Sequence, residues 1–421
     1  MSPSTDRRSI TMEERATGLL MSQLDQLSSL RLSQLAPNAV QSEIRAMTVA
    51  CDAIDGINLA QGVCDTDPPL PVVEAAVDAI RAGRNIYTRA DGIAPLREAI
   101  AQKFARFNGI IVDPGTEVLV SSGATGGLHA ASMALLNPGD ECIVFEPFYG
   151  YHVATLRSQR VVPVIVPLEA PTWSLDVDRL RASITPRTRA IILNSPSNPS
   201  GKVFTAADLE AIAEVALEHD LFIFTDEIYE YFTYDGEQHR SIAALPGMAE
   251  RTITISGFSK TFSVTGWRLG YLAASAKWLP AIAYFHDLTY VCAPSPLQYG
   301  ALAGLLALPD SFYQELAAEY QTKRNLTCDA LARAGLTPSI PAGAYYILAD
   351  ASRVAGTDAK QKARKLLADT GVAAVAGSAF FGNDASGRNR GDSLLRFCFA
   401  KKPEELEEAC SRLAAYTPQA L

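Results

Sequence analysis

The chain has 421 residues, 48% of them hydrophobic and 20% charged, and a formal net charge of −9. Such a length predicts a large core and more than one domain. The acidic balance, with no long Lys/Arg run, speaks against nucleic acid or an anionic membrane as partner, and no window reaches the ~20 apolar residues of a membrane span.

Seven cysteines (Cys51, Cys64, Cys142, Cys292, Cys328, Cys398 and Cys410) are odd in number, scattered and without CxxC spacing. They read as reduced thiols of a cytoplasmic protein, not as a disulfide framework or a zinc site. The five histidines show no metal spacing, so no metal is expected. Residues 1–36 read as an N-terminal extension. Its "RRSITMEERATGLLMSQLDQL" has a double Arg but no sustained apolar stretch or cleavage site, which argues against an export signal. Leu19, Leu20, Leu24, Leu27 and Leu30 recur near helical spacing and suggest an amphipathic arm.

From about residue 73, helical patterns alternate with short apolar runs. "VVEAAVDAIRAG" and "APLREAIAQKFARF" are helical, "EVLVSS" is a strand and "GGLHAASMALL" a helix. "ECIVFEP", "RVVPVIVPL" and "RAIILNSP" are strands, "AADLEAIAEVALEHD" is a helix, and "LFIFTDE" and "TITIS" are strands. This order implies a mainly parallel sheet covered by helices, over residues 73–300. Beyond it, a long helix "SFYQELAAEYQTKRNLTCDALARAG", the segment "PAGAYYILAD", another helix, "SLLRFCFA" and a last helix read as a smaller α+β domain. Residues 37–72 are expected to join 301–421 in that domain.

In open parallel sheets, ligands bind beyond the carboxyl ends of the strands. "EVLVSS" opens into Gly123-Ala124-Thr125-Gly126-Gly127 and a helix, a candidate anion cradle. It is neither GxxxxGK[ST] nor GxGxxG. "ECIVFEP" leads to Tyr149, an aromatic able to cover a flat ring. "RAIILNSPSNPSG" carries Asn194, read as a turn residue, and Asn198. "LFIFTDEIY" ends in Asp226 and Tyr229, and the strand "TITIS" delivers Lys260. A phosphate needs N–H donors and a cation, an aldehyde needs a lysine, and a pyridine nitrogen needs a carboxylate. The inventory fits pyridoxal 5′-phosphate (PLP).

With these residues in view, the chain resembles the class I/II aminotransferases of PLP fold type I, the aspartate aminotransferase superfamily, from about residue 55 to 415. The motifs are Asn198-Pro199-Ser200-Gly201, Asp226-Glu227-Ile228-Tyr229, Ser259-Lys260 through Gly266, Arg268 and Gly270, and Arg396 within "LLRFCFA". The resemblance implies a seven-stranded mainly parallel sheet, a smaller α+β domain and a homodimer. It implies Lys260 as the Schiff-base lysine and proton shuttle, and Asp226 as partner of the pyridine nitrogen. Asn198 and Tyr229 would bond the ring oxygen, Arg268 with Ala124 and Thr125 the phosphate, and Tyr149 would stack on the ring. Arg396 would take the substrate α-carboxylate bidentately, beside Gly62 and Asn198. Tyr87 would reach the phosphate of the neighbouring subunit. One departure stands out: many relatives have Ser where this chain has Gly257, so Ser256 or Ser259 would have to compensate or one phosphate donor is lost.

The resemblance implies a transaminase that passes an amino group from an L-amino acid to a 2-oxo acid in two alternating half-reactions. A C–S β-lyase, a cyclising synthase or an oxidase shares the fold. A non-catalytic PLP-binding regulator is disfavoured because the N-terminal extension is too short and too weakly basic for a DNA-binding module. Dicarboxylate-specialised relatives supply a second arginine from the segment after the cofactor arginine, and "AYFHDLTYVCAPSPLQYGAL" has none. Neutral or aromatic substrates, or a broad range, are therefore expected, with Tyr290 bordering the side-chain pocket.

Overall fold

The computed structural model describes residues 43–418, with Ser33 and Leu35 besides. The described elements fall within one compact unit, residues 42–421. The amphipathic arm expected over residues 1–36 lies outside the described residues.

Strand β1 (Ile57–Asn58) follows the helix Glu43–Asp52. Next come β2 (Val118–Ser121), β3 (Glu141–Glu146), β4 (Val162–Pro167), β5 (Thr188–Asn194), β6 (Phe222–Asp226), β7 (Thr252–Gly257) and β8 (Gly270–Ala273). These seven form one sheet in the order β2-β8-β7-β6-β5-β3-β4. Only β8 runs against the others, so the sheet is mainly parallel, as expected. The central strands are apolar on both faces because helices cover both. Ile143, Ile191 and Ile223 point to one helix layer, while Cys142, Val144, Ile192 and Phe224 point to the other. Each such side chain is buried, and full burial of a Val or Ile contributes roughly 1.5–3 kcal/mol.

The helices start where the sequence offers stop-and-start chemistry. For Ala206–Glu218, Thr205 Oγ1 accepts from Asp208 N–H while Asp208 Oδ2 accepts from Thr205 N–H, a reciprocal cap. The helix Gly123–Leu135 begins directly at the end of β2, and Gly150–Ser158 begins at Tyr149 beyond β3.

Later in the chain, β9 (Thr337–Ser339), β10 (Tyr346–Asp350), β12 (Val375–Ala376) and β13 (Leu394–Cys398) make a four-stranded antiparallel sheet, ordered β12-β13-β10-β9. Between them, β11 (Val372–Ala373) pairs in parallel with β1. Residues 57–58 are thereby packed with the C-terminal elements rather than with the large sheet. No described helix is long and apolar enough to cross a membrane.

Candidate active site

Because β2, β3, β5, β6 and β7 run the same way, their carboxyl ends emerge along one edge of the sheet. That edge opens into a cleft of about 840 Å³. Ala124, Thr125, Tyr149, Asn198, Asp226, Tyr229, Lys260 and Arg268 all line it, joined from the other side by Gly62 and Arg396. Tyr87 is not among the lining residues; it is 79% exposed on the surface.

At the floor, Lys260 Nζ donates to Gly62 O at 3.1 Å. Part of the lysine is open to the cleft, and the protein crowded around its amine pulls the ammonium below its ordinary range by desolvation. Asp226 closes β6, and its Oδ2 lies 2.9 Å from Nε2 of His152, a buried residue one turn into the helix after Tyr149. Tyr229 Oη is 3.0 Å from Tyr346 Oη, and burial pushes the Tyr229 phenol up. Asn194 ties two strand ends together, its Nδ2 donating to Asp226 O and its Oδ1 accepting from Asn198 N–H.

Arg396 stands on β13, is 1% exposed and has its guanidinium over the rings of Tyr346 and Phe380, at 4.3 and 4.7 Å. Its Nη1 donates to Asn198 Oδ1 at 3.0 Å and its Nη2 to Ala60 O at 2.6 Å. Its Nε is buried without an acceptor among the described residues. A group held this rigidly by neutral acceptors and aromatic faces retains its full charge for an anion.

The opposite end of the cleft is the start of the helix Gly123–Leu135, whose N-terminus carries about half a positive charge. The Ser122 N–H there donates to His286 Nε2 at 3.0 Å, leaving the next amides to the cleft. Arg268 sits beside this turn in a left-handed conformation (φ 53°), its Nη1 on Thr265 O. These residues fit PLP: an amine at the floor, a carboxylate backed by His152, and an amide turn with a guanidinium. Three guanidiniums, Arg45, Arg268 and Arg396, and the Lys260 amine line the cleft against one carboxylate, Asp226.

Gly257 has a structural reason. A Cβ there would lie 3.0 Å from Gly270 Cα and 3.1 Å from Leu269 O, because β7 and β8 approach closely. Ser256 faces away and donates to Glu230 Oε1, whereas Ser259 lines the cleft. Tyr290, expected at the side-chain pocket, instead packs near Gly126 and His286, outside the lining.

Sequence reasoning missed His152, Tyr346, Tyr151 and Arg45. His152 had a faint signal, three residues after Tyr149 on the same helix face. Arg45 had none. Behind Asp226 lies a further feature: Lys103, buried, pairs with Glu230 and donates to Asn108 Oδ1, while Asn108, Ser241 and His239 surround Glu227. Burial opposes ionisation of Glu230, but Lys103 and His239 outweigh it and hold the carboxyl below its ordinary range.

The family model for aminotransferase class I and II matches residues 54–413. The chain is 38% identical over 378 residues to aromatic-amino-acid aminotransferase 2 of Thermococcus litoralis, covering 88% of this chain and 94% of that protein. It is 37% identical over 378 residues to an aspartate aminotransferase of Pyrococcus abyssi, with the same shares of 88% and 94%. The solved structure of N-succinyldiaminopimelate aminotransferase from Mycobacterium tuberculosis superposes with a TM-score of 0.87 at 36% identity, over 91% of this chain and 99% of that one. With that agreement in sequence and fold, the chain belongs to the class I and II aminotransferases, transaminases that work with pyridoxal 5′-phosphate.

Proposed function

We propose that the cleft described above is the transamination site, with Lys260 as the group that moves the proton. The observation that carries this is a crowded amine, depressed by desolvation, at the meeting point of a carboxylate, an anion cradle and a rigid guanidinium. Bound there, PLP supplies the electron sink that permits loss of the substrate's Cα proton. Ala124, Thr125 and Arg268 would hold its phosphate, Tyr149 would cover the ring, and Asn198 and Tyr229 would bond the ring oxygen. The Asp226 carboxylate would keep the ring nitrogen protonated, with His152 fixing the direction of that carboxylate.

The chain's own residues then choose the bond that reacts. Arg396 grips the α-carboxylate in two parallel hydrogen bonds, which keeps that group from leaving and turns Cα–H toward Lys260. The neutral Lys260 amine takes the proton from Cα and returns it on the other side of the exchange; a depressed pKa suits a base that must be unprotonated near neutral pH. Gly62 O, which accepts from Lys260 Nζ, orients the amine.

The substrate range we propose is broad, with neutral and aromatic donors accommodated beside Tyr149, Tyr151 and Tyr346. The relatives' names span aromatic amino acids, aspartate and N-succinyldiaminopimelate, which supports breadth rather than one donor. We also propose a cytoplasmic homodimer in which exposed Tyr87 serves the partner's phosphate site.

Single amino acids added to the PLP-loaded enzyme without an oxo acid test the reaction. With a true donor the visible absorption of the bound cofactor is lost, then returns when 2-oxoglutarate or pyruvate is supplied. Ammonia release without a stable spectral change would mean a lyase or oxidase. Sedimentation of the enzyme tests the dimer. Mixing Tyr87→Phe and Lys260→Ala chains tests whether sites are shared.

A further inference from the structure

Beyond its hydrogen bonds to Asn198 and Ala60, Arg396 is steadied by two aromatic rings, and the fold secures them differently. Tyr346 stands on β10, the strand paired with β13, so the ladder between the two strands sets it beside the guanidinium. Phe380 has no such ladder. It ends the short turn Gly377–Phe380 and opens the long connection to β13, yet it is 1% exposed and its ring centre lies 4.7 Å from the guanidinium.

What holds Phe380 comes from the other sheet. Phe380 O accepts from Phe148 N–H at 3.0 Å, and Gly382 N–H donates to Glu146 Oε1 at 2.7 Å. Arg390 Nε donates to Glu146 Oε2 at 2.7 Å, and Arg390 Nη2 donates to the same oxygen. Arg390 also closes the connection on itself: its N–H donates to Gly382 O at 3.1 Å and its Nη1 to Asn383 O at 3.2 Å. Asn389 Nδ2 adds a bond to Phe381 O at 2.8 Å. One carboxylate, closing β3 three residues ahead of Tyr149, thus fastens both ends of the segment 382–390.

We propose that Arg390 and Glu146 are positioning residues for the substrate's α-carboxylate: their ion pair holds Phe380 against Arg396 and keeps the guanidinium aimed into the cleft. The Glu146 side chain is 1% exposed, and burial pushes its carboxyl up more than Arg390 and the Gly382 N–H pull it down. A pair whose desolvation outweighs its attraction adds little net stability, and what it supplies here is placement. Glu146 also lies on the strand that delivers Tyr149, so the ring cover and the carboxylate site are held in one frame. The proposal rests on Arg396 holding the α-carboxylate.

The test uses the PLP-loaded enzyme and 3-phenylpropionate, an aromatic monocarboxylate with no amino group to react. Calorimetry reads its dissociation constant, and the absorption of the bound cofactor reads PLP affinity. The variants are Arg390→Gln, Arg390→Lys, Glu146→Gln, Phe380→Leu, the double Arg390→Gln/Phe380→Leu, and Arg396→Gln. Loosening one ring from the guanidinium should weaken the probe about 5-fold in Arg390→Gln, Glu146→Gln and Phe380→Leu. Arg390→Lys keeps a cation on Glu146 without the paired N–H groups and should fall between, while PLP affinity moves less than about twofold in all of these. Because both changes act through one ring, the double should bind within about twofold of Phe380→Leu alone. Unchanged probe affinity in Arg390→Gln, full multiplication of the two losses in the double, or an equal loss of PLP affinity overturns the proposal, whatever happens to the melting temperature. Arg396→Gln separates the readings. If it binds the probe as the wild type does, the α-carboxylate assignment itself fails; if it alone weakens the probe, only the roles of Arg390 and Glu146 fail.

Discussion

Gly62→Ala adds one methyl group and should disturb the site out of proportion to its size. The new Cβ would stand 1.9 Å from Tyr346 Oη and 2.8 Å from its Cζ. An ordinary contact at 3.4 Å requires a shift of about 1.5 Å (3.4 − 1.9). Tyr346 is 2% exposed and its hydroxyl is bonded to Tyr229, so the ring cannot move that far and keep the bond. One lost hydrogen bond costs about 1 kcal/mol and overpacking about 1–3 kcal/mol, so the unfolding free energy should drop by about 2–4 kcal/mol. The displaced ring also leaves the face of Arg396, and the loss of that contact should raise KM for the amino acid about 10-fold. Urea unfolding followed by circular dichroism, with steady-state kinetics, reads both numbers. Gly62→Ala/Tyr346→Phe removes the worst contact but not the one to Cζ, so it should restore about half the stability loss. A single variant within about 0.5 kcal/mol of wild type, or a double no better than the single, would refute the reasoning.

Three other outcomes follow from charges the fold has enclosed. Lys103→Met leaves Glu230 and Glu227 buried without their cation and should cost about 3–5 kcal/mol in urea unfolding; a loss under about 1 kcal/mol would mean water reaches the cluster. Burial brings the His286 imidazole down to about 4 from 6.5 while its Nε2 accepts from Ser122. The unfolded chain then binds the extra proton between pH 6.5 and 4, so stability falls on acidification through that window, by at most about 1.4 kcal/mol per pH unit. His286→Gln should flatten this slope, and an unchanged slope would assign it elsewhere. Lys260 has the same sign at the other end. Its folded pKa lies below the unfolded 10.5, so the stability of the PLP-free enzyme should rise with pH towards 10.5. Lys260→Met should remove that rise, as pH-resolved thermal melts will show.

The strand ends were legible because each apolar run stops at a residue that breaks it: Gly123 after β2, the prolines after β3 and β5, Asp226 at the end of β6. A short apolar run with a punctuator carries both the strand and its exit. The direction of β8 was not legible, since an antiparallel strand has the same local pattern as a parallel one when both faces are covered. The helix Val177–Ala182 has six residues, fewer than two turns, too short to show a helical period. Gly257 looked like a missing donor until the approach of β8 gave it a steric reason. His152 and Arg45 escaped because their relevance arises from packing: one meets Asp226 across 74 positions, the other meets the cleft only after its helix docks on the core.

The turn after β6 has two faces. Asp226 and Tyr229 look toward Lys260, while Glu227 and Glu230 look the other way into the enclosed cluster around Lys103 and Asn108. Anchors and working groups thus alternate on a stretch of five residues, and whatever holds the anchors also sets the aim of the workers. Such a turn leaves little room for drift over evolutionary time. Arg45 and Tyr151, both exposed, stand under no comparable constraint, being presented from helices across the cleft. One bank of the cleft is fixed by what lies behind it, while exposed positions on the other can change singly, so the substrate side is open to revision with the chemistry left in place.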